Sequence, residues 1–529
     1  MDHQMSVEFE TPHTKWAKPY ARGKLRVLLF CSGHGTAPRE GVELKQRFDF
    51  DVDAVFWARI VDSTKQGWHG GELGVQRMLR LAEKPYDCYL FLGISPASLS
   101  SEMQYKILKP VTDGAGIVLV GLGDRRILKP ERRIKELSPF LSPAGVAGAF
   151  QVGKGRGVEL PKLPDIPYEV GWETEYDHWQ ERLGRAILWA AGKEPQVELR
   201  PRLEAPELDR SRLPQKAVGF SWRNPRRTEL SIEMSIRSRQ GWRLPYWEVK
   251  TADAEGEVLN EFLKLRADDY YLDVIARSGN GVEAWAASRF KVASDHGVKS
   301  VELSTTWGEV GDTLRGTISL DADLGNKEWV EVRLWDRRNR ILMRRRLVAD
   351  QLAFEFRVEP WFPMLVRVEA VRCYGGGDIA SAHAWFNVVK RNRGQFNFLI
   401  WDVPTGSLAP YAEESLARLG MTLQLKGGTP PRYVAAYETA WVPYTTRIQE
   451  AHDKDGVMKP FCWNDEAKAA AHVQALADKY REARQHGVFV YSLGDENDVR
   501  GSCTSPHCLR AYRQYLAKEY VTIEALNAS

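Results

Sequence analysis

The hydrophobic period changes twice along this chain, and that bounds what it can fold into. Residues 24–192 carry continuous apolar runs: KLRVLLF (24–30), DVDAVFW (51–57), YDCYLFLGIS (86–95) and GAGIVLVGLG (114–123). Runs of this kind suit strands covered on both faces. Helical stretches separate them, among them ELGVQRMLRLAE and SLSSEMQYKIL. In the last, EYDHWQERLGRAILWAAGK, residues Tyr176, Trp179, Leu183, Ile187 and Ala190 share one face. The alternation predicts a doubly wound, flavodoxin-like α/β domain over 20–195.

The segment KEPQVELRPRLEAPELDRSRLPQ holds four prolines and many charges, and 196–215 reads as a linker. From 216 the period becomes two. Leu230, Ile232, Met234 and Ile236 alternate with polar residues, as do Val330, Val332 and Leu334 before the turn DRRNR. Many short strands with turn signals predict two β-sandwich domains, 216–296 and 297–392, divided near SDHG.

A third texture covers 393–529. FNFLIWDVP, MTLQL, RYVAAYE and GVFVYSL read as four strands, and YAEESLARLG as a helix closed by Gly420. A long helix starts at Asn464 as cap and stops at Gly487. Another starts at Ser505 with Pro506 in its first turn and turns Leu509, Tyr512 and Leu516 inward. The order predicts the first half of a TIM barrel, ending before a fifth strand. The expected fold is therefore multidomain, α/β plus all-β, with a partial barrel.

Composition narrows the function classes. A formal charge of +4 over 529 residues gives no argument for nucleic acid or a membrane surface as partner. No apolar run reaches about 18 residues, so no membrane span is expected. The start, MDHQMSVEFETPHTKW, has no basic region followed by an apolar core, so a cytoplasmic location is the expectation. Six scattered cysteines exclude a disulfide-stapled small fold.

The chemistry concentrates in YSLGDENDVRG (491–501), where an apolar run ends in Gly-Asp-Glu-Asn-Asp. A solvated loop with helix-capping acids is the plain alternative. In a TIM barrel, however, the C-terminal ends of strands carry the chemistry. Trp401 and Asp402, after the first expected strand, and Tyr437 and Glu438, after the third, are candidates for stacking on sugar rings and binding hydroxyls. Trp441 and Tyr444 are weaker ones.

YSLGDEN, the following CTSPHCLRAYRQYLAKEYVTIEALN and the upstream KPFCWNDEAK together resemble glycoside hydrolase family 42 and related clan A enzymes. The resemblance covers about 395–529. It implies hydrolysis of a glycosidic bond with retention, as in β-galactosidases, on a carbohydrate substrate and without a catalytic cofactor. The family's acid/base glutamate falls on Glu496. Its sugar-contacting asparagine falls on Asp495, a departure, since an ionised carboxylate accepts but does not donate a hydrogen bond. The family nucleophile follows a seventh strand, so residues 1–529 alone are expected to be inactive. The resemblance also implies a structural zinc. Cys462, Cys503 and Cys508 match three of its four cysteine ligands, the fourth falls near Ser505, and His507 is a candidate replacement. Free thiols beside a helix start are the alternative.

Residues 24–192 resemble the class I glutamine amidotransferase-like fold, including the terminal ILWAAGKEP helix. The expected cysteine elbow is missing, for GLGD follows IVLVG, and neither Cys31 nor Ser95 sits in a complete motif. The domain is expected to be non-catalytic and useful for assembly, which allows a homo-oligomer. Two other readings stay open. One is a non-catalytic carbohydrate-binding or scaffold protein. The other is an amidotransferase-like or flavin-binding activity in the N-terminal domain.

Overall fold

The computed structural model describes residues 9–32, 39–59, 66–121, 132–162, 168–213, 216–244, 247–261, 264–348, 351–375, 377–391, 394–400, 407–425, 431–444, 452–488, 490–492 and 502–529. The apolar runs of the first domain become parallel strands β1 (Leu25–Ser32), β2 (Phe50–Arg59), β3 (Cys88–Leu92) and β4 (Gly116–Val120), joined by β5 (Gly155–Leu160). Their order is β2-β1-β3-β4-β5, and short antiparallel strands flank the sheet on both edges. Helices α1 (Glu40–Arg47), α2 (Glu72–Ala82), α3 (Ser101–Asp113) and α4 (Trp172–Ala190) cover it. Leu25, Val27 and Leu29 face a core that includes Leu44 of α1 and Leu183 and Ile187 of α4. Leu28 and Phe30 face the other core, with Met78 of α2 and Met103 and Ile107 of α3. Burial on both faces is why these strands lack alternation. Each such side chain contributes about 1.5–3 kcal/mol.

Gly184 is required by the packing of α4. A Cβ there would lie 2.0 Å from the Phe48 ring. Glu40 of α1 is buried against the same helix. Tyr176 donates to its Oε1 at 3.4 Å, and the Gln180 amide donates to Oε2. Burial pushes the Glu40 carboxyl up to about 7.

Two pairs of packed sheets follow. In the first, a five-stranded sheet packs on a three-stranded one, with Phe220, Ile232, Met234, Leu272 and Val274 in the core between them. The expected linker is part of this unit. Glu198–Leu203 is an edge strand paired antiparallel with Lys216–Arg223, and Glu207–Asp209 joins the larger sheet. The edge strand contains Pro201. A proline is tolerated on an edge strand, where its missing N–H costs no ladder bond. The second pair spans Val298 to Val389 and buries Leu314, Val330, Val332, Phe356, Val366 and Val368.

The third unit has three parallel strands, β6 (Phe398–Ile400), β7 (Met421–Leu425) and β8 (Ala440–Val442), in that order. Helix α5 (Ala409–Arg418) joins the first two, and α6 (Pro431–Ala436) the next two. RYVAAYE is therefore not a strand. Its Val and Tyr suggested one, but Pro431 opens a helix and the strand follows in Ala-Trp-Val. Next come α7 (Glu466–Lys479), a 3-10 turn at Arg481–His486, and α8 (Pro506–Tyr520). The cap of α7 is Asp465, not Asn464: its carboxylate accepts from the Lys468 N–H at 3.2 Å. Ser505 caps α8 as expected, but Leu509 and Tyr512 are exposed, and α8 buries no residue. Among the described residues, no helix is long and apolar enough to cross a membrane.

Charged residues join the units. Asp177 of α4 accepts from Arg47 Nε and from Arg237 Nη1 of the first sandwich, both at 2.7 Å. Arg237 Nε also lies 3.0 Å from Asp273 Oδ2, and all four residues are buried. Burial pushes the Asp177 carboxyl up, but the two guanidiniums outweigh it and hold it below the usual range. Glu169 links the first domain to the rest by pairing with Arg432, His383 and the Trp385 indole.

Candidate functional site

The chain leaves β8 through Pro443 and Tyr444, and Tyr444 pairs in parallel with Ser492. The Ser492 N–H donates to the Pro443 carbonyl at 2.9 Å, and the Tyr480 hydroxyl to the Tyr444 carbonyl at 2.8 Å. Ser492 is thus brought beside the C-terminal end of the third strand as a single bridge. Glu496 follows four residues after Ser492 in sequence. Asp495, Glu496, Trp401 and Asp402 lie outside the described residues.

Tyr437 and Glu438 are placed elsewhere than expected. Because α6 replaces the expected strand, both precede β8 instead of following it. Tyr437 is 7% exposed and packs among Leu423, Leu425 and Ala440, with the Arg337 guanidinium 4.3 Å over its ring. Glu438 adopts φ 65° and accepts from the Met364 N–H at 2.7 Å and from Lys390 Nζ at 3.0 Å. Both residues tie the third unit to the second sandwich; Tyr437 is buried, whereas Glu438 is partly exposed with its carboxylate engaged by Met364 and Lys390. Trp441 is likewise buried in β8.

The three cysteines do converge. The sulfurs of Cys462, Cys503 and Cys508 all lie within 4.8 Å of one another, and Cys462 and Cys508 are 3.3 Å apart. Local hydrogen bonds set the group. Met458 N–H donates to Cys503 Sγ at 3.5 Å and Asn464 Nδ2 to Cys508 Sγ at 3.2 Å. Ser505 Oγ lies 2.8 Å from Cys462 Sγ while capping α8. Burial pushes the Cys503 thiol up, but hydrogen bonds from Met458 and Ser505 outweigh it and bring it to about 7. His507 does not join. Its Nε2 faces Asp465 Oδ2 at 3.7 Å. Three sulfurs this close are a donor set of the kind that zinc takes, and these three thiolates would hold such an ion.

In the first domain, Cys31 is fully buried at the end of β1, and Ser95 caps a short 3-10 turn after β3. Neither is presented as a nucleophile. Sequence reasoning missed the buried pair Gln424 and Glu413, which joins β7 to α5. Burial pushes the Glu413 carboxyl up to about 7. A polar residue inside the apolar run MTLQL was its signal.

Residues 418–529 match the family model of the β-galactosidases of glycoside hydrolase family 42. No curated protein matches the chain. Solved structures give low scores. A glycosyl hydrolase family 2 member from Bacteroides cellulosilyticus is 11% identical, covering 58% of this chain and 47% of that one, with a TM-score of 0.21. Two fibronectin type-III domains of chicken tenascin are 9% identical over 37% of this chain and 98% of theirs, with a TM-score of 0.15. Chicken CNTN1 FN1-FN3 domains are 10% identical over 36% and 67%, also at 0.15. Scores this low fix neither fold nor function.

Proposed function

We propose that the chain is a glycoside hydrolase of the β-galactosidase, family 42-like type, acting with retention of configuration. The observation that carries this is the family-model match over 418–529, which spans both GDEN and the cysteine-bearing start of α8. In this reading Glu496 protonates the glycosidic oxygen as the bond breaks, then takes a proton from the incoming water. Asp495 accepts a hydrogen bond from a sugar hydroxyl. Its charge beside Glu496 raises the pair's apparent pKa values, which keeps an acid protonated nearer neutral pH. Retention needs a second carboxyl about 5–5.5 Å away, and no residue of the chain is assigned that part. Trp401 and Asp402, following β6 in sequence, are proposed sugar contacts. Tyr437 and Glu438 are not.

Parallel strands alternating with helices, and the bridge that sets Ser492 beside the end of β8, support a barrel-type site. Cys462, Cys503 and Cys508 would hold a structural zinc, which would fix α8 to the loop before α7. The first domain is read as a non-catalytic, amidotransferase-like module, and the burial of Cys31 supports that. The test is the whole gene product incubated with a panel of aryl β-glycosides. Release of phenol with a retained anomer supports the reading, and no turnover on any member overturns it.

A further inference from the structure

A cleft of about 890 Å³ lies between the second sandwich and the third unit. That is within the range of about 300–1,000 Å³ usual for small-molecule sites. One wall is the sandwich, with Trp307, Trp385 and Asn387. The other is Arg432 of α6 and the turn that carries Gln485 and His486. Thr306 Oγ1 and Gln485 Oε1 join the walls at 3.1 Å. The lining elements α6 and the 481–486 turn come just before β8 and before the stretch that bridges to it. The cleft therefore opens where these strands begin, whereas the chain toward Glu496 leaves at their other end.

Two polar atoms in the wall have no partner among the described residues. Asn387 is 8% exposed, and its Oδ1 accepts no hydrogen bond; His486 Nδ1 is also buried and unmatched. A buried polar atom without a partner costs about 1–3 kcal/mol, so such atoms in a cleft wall call for an occupant. Burial, helped by the Arg432 charge, holds the His486 imidazole neutral, down to about 4. Asn387 Oδ1 needs a donor, which a sulfate does not offer. A hydroxyl both donates and accepts, and indole rings stack on the C–H face of a sugar ring.

We propose that this cleft is a second carbohydrate site, binding a neutral oligosaccharide between Trp307 and Trp385 on one wall and Gln485 and His486 on the other. Side-chain rotation turns Asn387 Oδ1 and His486 Nδ1 to sugar hydroxyls, and the sugar faces take the place of the Arg432 and Arg484 guanidiniums over the indoles. Glu169 orients both the Trp385 indole, which donates to its Oε2 at 2.8 Å, and Arg432, with which it pairs. The site extends the hydrolase reading to a subsite away from the strand ends where cleavage is placed. The choice of sugar rests on that reading, but binding here needs no turnover.

The test is tryptophan fluorescence and calorimetric titration of the whole chain with galacto-, arabino- and cello-oligosaccharides of four to six units, with a sulfated hexasaccharide as the anionic arm. At least one neutral probe is expected to bind and to shift the emission. Asn387→Leu and Gln485→Ala should each weaken that binding about tenfold while leaving aryl-glycoside turnover by the whole gene product unchanged. Gln485 is partly exposed, so its variant folds if that of Asn387 does not. Three outcomes overturn the proposal: no neutral probe binds, only the sulfated probe binds, or binding is the same in both variants. If turnover fails while binding and its loss in the variants persist, the hydrolase reading falls and this site stands.

Discussion

Replacing Glu40 by glutamine should stabilise the N-terminal domain, and by more as pH rises. The carboxyl is buried between α1 and α4, and burial moves it from 4.5 to about 7. A raised folded-state value means that the folded chain holds the proton more tightly than the unfolded one. The stability contributed is therefore full below about 4.5 and is lost as pH rises through about 7. The move from 4.5 to about 7 corresponds to a total of about 3 kcal/mol. Less than half of that is lost by about pH 5.5 and nearly all by about pH 8.5, a difference of about 2 kcal/mol. Glutamine keeps the shape without the charge. Gln180 Oε1 has no partner, so a flipped Gln180 amide accepts from the new one. Urea unfolding of wild type and Glu40→Gln at both pH values is the assay. The variant's advantage should grow by about 2 kcal/mol between them. An advantage independent of pH, or a loss at high pH, refutes the reasoning.

Asp177→Ala should cost about 3–5 kcal/mol, since it leaves Arg47 and Arg237 buried with one partner fewer each; a change in urea midpoint worth under about 1 kcal/mol contradicts the weld between the first domain and the first sandwich. Glu438→Ala should lower stability by about 1–2 kcal/mol through loss of the Met364 and Lys390 contacts, with KM for any hydrolysed glycoside unchanged. A shifted KM at unchanged stability would return that residue to substrate binding. Metal analysis of the purified protein should find about one zinc per chain, lost in Cys508→Ala; metal-free protein with three titratable thiols refutes the site.

Much of the fold is written in the hydrophobic period. Runs such as YLFL and IVLV become central strands because both their faces are covered, and the alternation in LSIEMSI becomes a one-sided sandwich strand. Period does not name a partner, however. It marks Asp177 as an odd charge on a buried helix without revealing Arg47 or Arg237, which are remote in sequence. RYVAAYE went wrong because a short apolar stretch fits a helix or a strand equally well, and only the proline before it discriminates. Pro201 concealed an edge strand. At the candidate site, the cysteine trio was legible through the family resemblance, since Cys462 is remote from Cys503 and Cys508 in sequence, whereas Tyr437 and Glu438 changed place together once the strand moved. The cleft was illegible: Trp307, Asn387, Arg432 and Gln485 come from separate elements.

The central claim is that Glu496 is the acid/base of a glycosidase, and Glu496→Gln in the whole gene product tests it most directly. Measured on a glycoside with a poor leaving group, kcat/KM should fall by about 10²–10⁴-fold. The loss should be much smaller on a dinitrophenyl glycoside, which leaves without protonation. An unchanged rate on the poor leaving group, or an equal loss on both substrates, would contradict the account.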